Sequence, residues 1–278
     1  MGMKSVFKSE EGRIALMEFY DKMLSFWPVA HEERDIATRY GITHVITAGD
    51  PSLPPCVLLH GAASNAVTWI ADAGVLSQRF HVIAPDLPGE VGKSAPFRPS
   101  WHDASYAFWL ADVLDGLKVE KACLVGLSLG GWAALRFGVE YSDRVERMVV
   151  MSPAGIVPVR LGAVIRPVFY AMLKGGGGMQ RMVFGDGQVP PEIGLFFSLI
   201  HRAYRPRFGS PPVLNRVELG RIASPVMVLA PDQDAFFPFD RAHKRLQGLD
   251  RFHLRVRHAQ HGLVGMGEEI LPFLLGKE

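Results

Sequence analysis

Short, mainly apolar runs alternate with segments of helical period over most of the 278 residues. Five such runs occupy residues 56–59, 80–84, 122–125, 145–151 and 225–230. Runs of this kind are typical of strands in a parallel sheet, because helices cover both of its faces. Helical segments between the runs indicate β-α-β connections. The pattern therefore predicts an α/β protein with a mostly parallel, doubly wound sheet of about eight strands.

The N-terminal segment has a different pattern. Apolar residues recur at helical spacing from residue 9 to residue 27, and Pro28 ends the run. This spacing predicts an amphipathic helix, and we assign residues 1–35 to a helical extension that packs against the main domain. Residues 39–47 alternate between apolar and polar side chains, which predicts an antiparallel edge strand.

The strand pattern stops between residues 156 and 220, where helical patches alternate with glycine and proline. The patches span residues 161–173 and 191–204. We interpret residues 156–220 as a helical cap inserted after the sixth strand, and the four glycines at 175–178 as a mobile hinge or loop. The flanking segments, 36–155 and 221–278, are expected to form the core domain.

Charge and cysteine content narrow the classes of partner and compartment. Lysine and arginine total 30 against 28 aspartate and glutamate, a formal net charge of +2. This balance gives no electrostatic argument for nucleic acid or an anionic membrane as a partner. Cys56 and Cys123 lie in predicted strands, and we interpret them as free thiols in a reducing compartment. Together with the lack of a signal-peptide-like or membrane-spanning run, this predicts a cytoplasmic protein without a stable membrane anchor. We expect it to be a monomer or a homodimer, a choice that the sequence leaves open.

A nucleophile motif stands at the end of one predicted strand. Gly126-Leu127-Ser128-Leu129-Gly130 separates the apolar run 122–125 from a segment rich in helix formers. A strand that turns sharply into a helix brings two backbones close together, so small residues are needed on both sides of the turn. The motif G-x-S-x-G in this context predicts a serine nucleophile, Ser128.

An oxyanion-binding loop is predicted after the run 56–59. His60-Gly61-Ala62 follows directly, and a glycine there allows the chain to bend and expose a backbone amide. The donors expected for an oxyanion are the N–H groups of Ala62 and Leu129, the residue after the nucleophile. We interpret His60 as a residue that orders this loop rather than as a general base.

A base and an acid are expected further along the chain, in the order Ser, Asp, His. His261 is the predicted base, and His258 is the alternative. Asp234 and Asp232 both qualify by position as the acid that holds the histidine in one tautomer. The two histidines lack a third ligand at metal-binding spacing, so no metal site is predicted.

These motifs resemble the α/β-hydrolase family, and most closely its serine carboxylesterase and lipase-like branch with a helical lid. The resemblance covers residues 36–278 and rests on five motifs: His60-Gly61-Ala62, Asp86-Leu87-Pro88-Gly89, Gly126-Leu127-Ser128-Leu129-Gly130, Asp234 to Pro238 and His261-Gly262-Leu263. It implies the α/β-hydrolase fold and acyl transfer to water, favours Asp234 as the acid, and requires no cofactor or metal. Glu90-Val91 departs from this branch, which usually has one residue there before the glycine.

The resemblance implies a serine esterase that acts on a small-molecule ester with small to medium apolar groups. Aromatic residues are expected to line its pocket: Trp69, Phe169, Phe196, Phe197 and Phe236. Phe184, Met172 and Met182 in the predicted cap are further candidates. Two alternatives stay open, namely the same triad acting on a thioester, lactone or carbon–carbon bond, and a ligand receptor on the same fold that lacks turnover.

Overall fold

Eight strands form one sheet in the computed structural model, which describes residues 5–160, 176–185 and 189–277. The strands are β1 (His31–Thr38), β2 (Gly41–Ala48), β3 (Pro55–Leu59), β4 (His81–Pro85), β5 (Ala122–Leu127), β6 (Val145–Met151), β7 (Val226–Pro231) and β8 (Phe252–Arg257). Their order across the sheet is β1-β2-β4-β3-β5-β6-β7-β8. Strand β2 pairs antiparallel with both β1 and β4, and all other pairs are parallel. The predicted mostly parallel sheet of about eight strands is confirmed.

The prediction of an edge strand at residues 39–47 is wrong in its placement. This stretch corresponds to β2, which lies inside the sheet between β1 and β4. The edge strand on this side of the sheet is β1, whose first residue, His31, lies within the segment assigned to a helical extension. Strand β1 carries charged side chains that are largely exposed, and charge of this kind is how proteins protect an open sheet edge from further pairing.

Helices cover both faces of the sheet. In the described ranges they are α1 (Glu10–Leu24), α2 (Ile70–Leu76), α3 (Ser105–Gly116), α4 (Leu129–Glu140), α5 (Gly176–Phe184), α6 (Pro191–Ala203), α7 (Arg216–Gly220), α8 (Phe239–Leu246) and α9 (Gly267–Leu274). Alternate residues of β3 point to opposite faces, so Val57 belongs to the core cluster that contains α3 and α4, while Leu58 belongs to the cluster that contains α2 and α9. This two-sided burial explains why β3 reads as a continuous apolar run. None of the helices in the described ranges is long and apolar enough to cross a bilayer.

Helix α1 forms where the sequence predicts a helix. The Ser9 side chain caps it by accepting a hydrogen bond from the Gly12 N–H at 3.1 Å. Its buried residues, Leu16, Tyr20 and Leu24, recur at intervals of four and form one face. This face connects two parts of the molecule. Tyr20 packs in the core cluster that contains α2 and α9, while Leu16 packs with the end of α6.

The glycine run corrects a second expectation. Gly176, Gly177 and Gly178 form the first turn of α5, so the expected loop is wrong for these three residues, although glycine is a poor helix former. Gly175 lies outside the described residues, and a hinge role stays a prediction. The predicted helical patch at residues 161–173 lies outside the described residues, as do Phe169 and Met172. The other patch, 191–204, corresponds to α6.

Candidate active site

Ser128 occupies the sharp turn between β5 and α4. Its backbone has φ 53° and ψ −108°, a left-handed conformation that a residue with a Cβ rarely adopts. Three hydrogen bonds fix this turn: the Ser128 N–H donates to the Met151 carbonyl at 2.9 Å, and the Ser128 carbonyl accepts from the N–H groups of Trp132 and Ala154 at 3.0 and 3.2 Å. The strained turn lifts the hydroxyl away from the strand and above the N-terminus of α4.

The two glycines of the motif allow the close approach that this turn requires. A Cβ at Gly126 would lie 2.5 Å from the Gly130 carbonyl oxygen, and a Cβ at Gly130 would lie 2.0 Å from the Leu59 carbonyl oxygen. Both clashes are with backbone atoms, which have no rotamer to move into. The sequence argument for small residues on both sides of Ser128 therefore has a direct steric basis.

The structure brings Ser128, His261 and Asp234 together in a line. The Ser128 Oγ lies 3.0 Å from His261 Nε2. On the other side of the ring, His261 Nδ1 lies 3.1 and 3.0 Å from the two carboxylate oxygens of Asp234. With Nδ1 donating its proton to Asp234, Nε2 is left as an acceptor that faces the serine hydroxyl. These three residues come from the carboxyl ends of β5, β7 and β8, where such sheets bind their ligands.

The loop after β7 holds Asp234 rigidly. Its Oδ1 accepts hydrogen bonds from the N–H groups of Phe236 and Phe237 at 2.7 and 3.1 Å, and the residue is only 2% exposed. The Phe236 ring lies 4.6 Å from the His261 ring, between centroids. The carboxylate is therefore shielded from water, which strengthens its interaction with the histidine.

The alternative acid and base pair with each other instead. His258 Nδ1 lies 2.8 Å from Asp232 Oδ2, and the His258 side chain is 80% exposed. The hydrogen bond from His258 is the main cause that lowers the pKa of Asp232. In this surface pair, Asp232 precedes Asp234 by two residues and His258 precedes His261 by three. The His258 side chain is exposed to solvent, whereas His261 is the histidine that contacts Ser128.

His60 has both ring nitrogens engaged in the loop after β3. It is fully buried, its Nδ1 lies 2.8 Å from the Gly61 carbonyl oxygen, and its Nε2 accepts a hydrogen bond from the Leu87 N–H at 2.8 Å. Burial lowers the pKa of this imidazole, although the charge of Asp86 opposes the effect. The geometry matches the interpretation of His60 as a residue that orders the loop.

The two predicted oxyanion donors, the N–H groups of Ala62 and Leu129, belong to the loop after β3 and to the residue that follows Ser128. Leu129 is the first residue of α4, and Ala62 is an exposed residue in the loop after β3. Neither amide donates a hydrogen bond to another described residue, so both remain available to a ligand. Gly61 lies close to the nucleophile: a Cβ there would be 3.7 Å from the Ser128 Cβ.

The predicted pocket residues fall in different places. Phe236 contacts His261 directly. Phe197 packs edge-on against Phe184 at 6.3 Å, and Phe184 lies beside the loop of His261, 2.6 Å from where a Cβ on Gly262 would be. Phe196 stacks at 5.4 Å on Phe19 of α1. Trp69 is 1% exposed and packs in the core cluster of α2 and α9.

Three residues that the sequence did not single out as site residues support these loops. Ser152, at φ 45°, donates its hydroxyl proton to the His261 carbonyl at 2.7 Å. Asp72 accepts from the N–H groups of Gly265, on the loop that contains His261, and of Gly267, the first residue of α9, at 3.1 and 2.7 Å. Glu90 accepts from the Ala63 N–H at 2.7 Å. Of these three residues, only Glu90 had a signal in the sequence, namely the Glu90-Val91 pair that departs from the family pattern.

Comparisons with known proteins agree with this fold. A family model described as the alpha/beta hydrolase family matches residues 56–271. The chain is 31% identical to carboxylesterase YbfK of Bacillus subtilis, over 97% of each chain.

Solved structures of carboxylesterases are also similar to this chain in fold. The crystal structure of carboxylesterase CesB (YbfK) from Bacillus subtilis superposes with a TM-score of 0.85 at 28% identity, covering 96% of this chain and 99% of that one. Naproxen esterase (carboxylesterase NP) from the same organism gives a TM-score of 0.85 at 25% identity, with the same coverage of 96% and 99%. Both relatives therefore share the whole architecture rather than one motif.

Proposed function

The chain belongs to the α/β hydrolase family and is a carboxylic ester hydrolase, and we propose that it cleaves small to medium apolar esters through an acyl-enzyme on Ser128. The observation that carries this proposal is the unbroken hydrogen-bonded line from Ser128 Oγ through His261 to Asp234. A serine hydroxyl is a weak nucleophile at neutral pH, and a base within hydrogen-bond reach is what activates it.

The proposed acylation step moves one proton and one acyl group. Ser128 Oγ attacks the ester carbonyl carbon while His261 Nε2 takes the hydroxyl proton, and Asp234 stabilises the imidazolium that forms. The N–H groups of Ala62 and Leu129 bind the oxyanion of the tetrahedral intermediate. When the intermediate collapses, the bond to the alkoxide breaks, and His261 returns the proton to the leaving alcohol.

Deacylation repeats these steps with water as the nucleophile. The water oxygen attacks the acyl carbon while His261 takes a proton from the water. His261 then protonates Ser128 Oγ as the carboxylic acid leaves. No step uses a metal or an organic cofactor.

The preference for apolar groups rests on the aromatic residues around the histidine. Phe236 lies against the His261 ring, and Phe184 packs with Phe197 beside Gly262. In this proposal the segment 156–220 acts as a cap over the site. The Gly262 N–H donates to the Val183 carbonyl at 2.8 Å, which ties the end of α5 to the loop of the proposed base.

A chain-length panel with a serine variant tests this function. Wild-type kcat/KM should rise from p-nitrophenyl acetate to butyrate and fall for long acyl chains, since each methylene in an apolar pocket contributes about 1–3 kcal/mol. Ser128→Ala should lower kcat by a factor on the order of 10⁶, with an unchanged circular dichroism spectrum. The surface variant Ser52→Ala is the control and should keep full activity. Substantial turnover by folded Ser128→Ala would refute the assignment.

A further inference from the structure

Glu90 is a buried carboxylate that the proposed triad does not use. It lies in the loop between β4 and α3 and is 3% exposed. Its Oε2 accepts two hydrogen bonds, from the Ala63 N–H at 2.7 Å and from the Tyr204 hydroxyl at 2.9 Å. Burial raises the pKa of Glu90, and these two hydrogen bonds act against that rise. A buried acid is costly to a fold, so its position needs a reason.

The contact with Ala63 fixes the backbone beside a proposed oxyanion donor. Ala63 has φ 52°, a left-handed conformation that an alanine adopts only when its surroundings impose it. Its N–H belongs to the peptide unit that follows Ala62. By binding that N–H, Glu90 restrains the chain on the C-terminal side of the Ala62 amide.

The other side of the same amide is restrained by His60. The Gly61 carbonyl and the Ala62 N–H belong to one planar peptide unit, and His60 Nδ1 lies 2.8 Å from that carbonyl oxygen. In a trans peptide the C=O and N–H point in opposite directions, so binding the carbonyl aims the Ala62 N–H away from His60. Two peptide units in succession are therefore held by buried side chains.

Tyr204 connects Glu90 to a distant part of the chain. It follows the last residue of α6, and its hydroxyl accepts a hydrogen bond from Arg98 at 3.0 Å. Its backbone pairs with Phe7 in an isolated antiparallel bridge, which is extended by hydrogen bonds from the Lys8 N–H to the Ala203 carbonyl at 2.7 Å and from the Arg205 N–H to the Val6 carbonyl at 2.8 Å.

The extra residue in the Glu90-Val91 loop contributes to the same contact. The Val91 N–H donates to the Ser64 carbonyl at 3.2 Å, and the Asn65 side chain donates to the Val91 carbonyl at 2.8 Å. The point at which the sequence departs from the family pattern is therefore where this loop is bound to the loop of Ala62.

We propose that Glu90 is a positioning residue for the oxyanion hole. Tyr204 holds Glu90 in place, so the segment that follows α6 and pairs with the N-terminal residues determines the orientation of the Ala62 N–H. This inference rests on the proposed acyl-enzyme function. It gives the N-terminal segment a role at the site, because the residues on either side of Tyr204 are hydrogen-bonded to Val6 and Lys8, while the Tyr204 hydroxyl binds Glu90.

The test is a kinetic comparison of Glu90→Gln and Tyr204→Phe, with rates normalised to serine titrated by a fluorophosphonate. Glu90→Gln replaces two charge-assisted hydrogen bonds by weaker neutral ones, and a small misplacement of a reacting group costs up to about 100-fold in rate. We expect kcat per titrated site to fall on the order of tenfold while KM changes little, because the oxyanion exists only in the transition state. Tyr204→Phe should show the same pattern to a smaller extent.

Binding of a trifluoromethyl ketone, which forms a tetrahedral oxyanion on the serine, should weaken in parallel with kcat/KM. Binding of an apolar alcohol, which makes no oxyanion, should not change. Tyr141→Phe, whose ring stacks on Phe137 away from this loop, is the control and should match the wild type in all three measurements.

The possible failures are distinguishable. If the wild type shows no serine labelling and no burst of product, the proposed function itself fails. If the wild type behaves as expected but Glu90→Gln retains kcat per site and inhibitor affinity, only the positioning role fails. If Glu90→Gln does not fold, Tyr204→Phe decides: an unchanged kcat per site overturns the proposal.

Discussion

Two residues with strained backbones lie next to each other at the centre of the site. Ser128 and Ser152 have φ values of 53° and 45°, and each such conformation costs about 1–3 kcal/mol. Ser128 carries the proposed nucleophile, while Ser152 binds the backbone of the proposed base through its hydroxyl. Strain persists only where the surrounding structure imposes it, so its location at these two residues supports a site built for positioning.

The residue that orients the histidine is tested by a pair of matched variants. Asp234→Asn should lower kcat by about 10⁴-fold, because the amide favours the wrong histidine tautomer. Asp232→Asn removes the partner of exposed His258 and should leave kcat nearly unchanged. Hydrolysis of p-nitrophenyl butyrate measures both. Equal losses in the two variants, or a larger loss in Asp232→Asn, would contradict the assignment of the acid.

The residues of the site were predictable to different degrees. Ser128 could be predicted because its motif is local and its neighbouring glycines have a steric purpose. Asp232 and Asp234 could not be separated from the residues alone, since both follow β7 and only the course of the loop decides which faces His261. Glu90 and Ser152 contact loops that are distant along the chain, and no local pattern reports such contacts.

At the scale of elements, the apolar core strands were predicted well and the sheet edge was not. Strands β3 to β7 are buried on both faces and appear as apolar runs. Strand β1 is exposed and charged, so it lacks the pattern that identifies a strand. Helix α1 was predictable as an amphipathic helix, but its contact with α6 through Phe19 and Phe196 was not.

The contact between α1 and α6 makes a prediction about stability. A Cβ at Gly12 would lie 2.7 Å from the Ala203 Cβ, so Gly12→Ala should force the helices apart and cost about 1–3 kcal/mol of unfolding free energy. Gly194→Ala is the control within α6, where, among the residues that the structure describes, a Cβ would approach only the end of the Gln180 side chain, at 3.4 Å. Alanine loses less backbone conformational entropy on folding than glycine does, so this variant should be more stable than the wild type by about 0.5–1 kcal/mol.

Urea unfolding of both variants measures these free energies. A Gly12→Ala variant that is as stable as the wild type, or more stable, would show that the helix contact is not as close as the structure places it.

At the scale of the whole molecule, three separate chain segments bring Ser128, Asp234 and His261 together at one edge of the sheet. This convergence was predictable, because the carboxyl ends of parallel strands meet at the same edge. The strand order was not, since the sequence does not say which parallel strands are neighbours. Buried titratable groups lie around this edge, and they make stability depend on pH.

His60 sets one part of this pH dependence. Burial lowers its pKa below the ordinary value of 6.5, so between the folded and unfolded pKa values the unfolded chain binds more protons. The contribution to stability is therefore complete above the unfolded pKa and is lost as the pH falls through the folded pKa, by up to about 1.4 kcal/mol per pH unit. We expect the free energy of unfolding of the wild type to decrease more than that of His60→Gln between about pH 7.5 and about pH 5.5.

The difference between wild type and His60→Gln separates the effect of His60 from that of buried acids, whose contributions to stability change with pH in the opposite direction. Burial raises the pKa values of Asp72 and Glu90, so their contributions become more favourable to the fold on acidification. Both proteins contain these acids, and their effects cancel in the difference. Parallel pH profiles for wild type and His60→Gln would contradict the account of His60.

The central claim is that Ser128 becomes acylated with His261 as its base, and labelling by a fluorophosphonate followed by peptide mapping tests it most directly. We predict one adduct per chain, on the peptide that contains Ser128, formed at the wild-type rate in His258→Ala and far more slowly in His261→Ala. An adduct on another residue, or equal labelling of wild type and Ser128→Ala, would contradict the account.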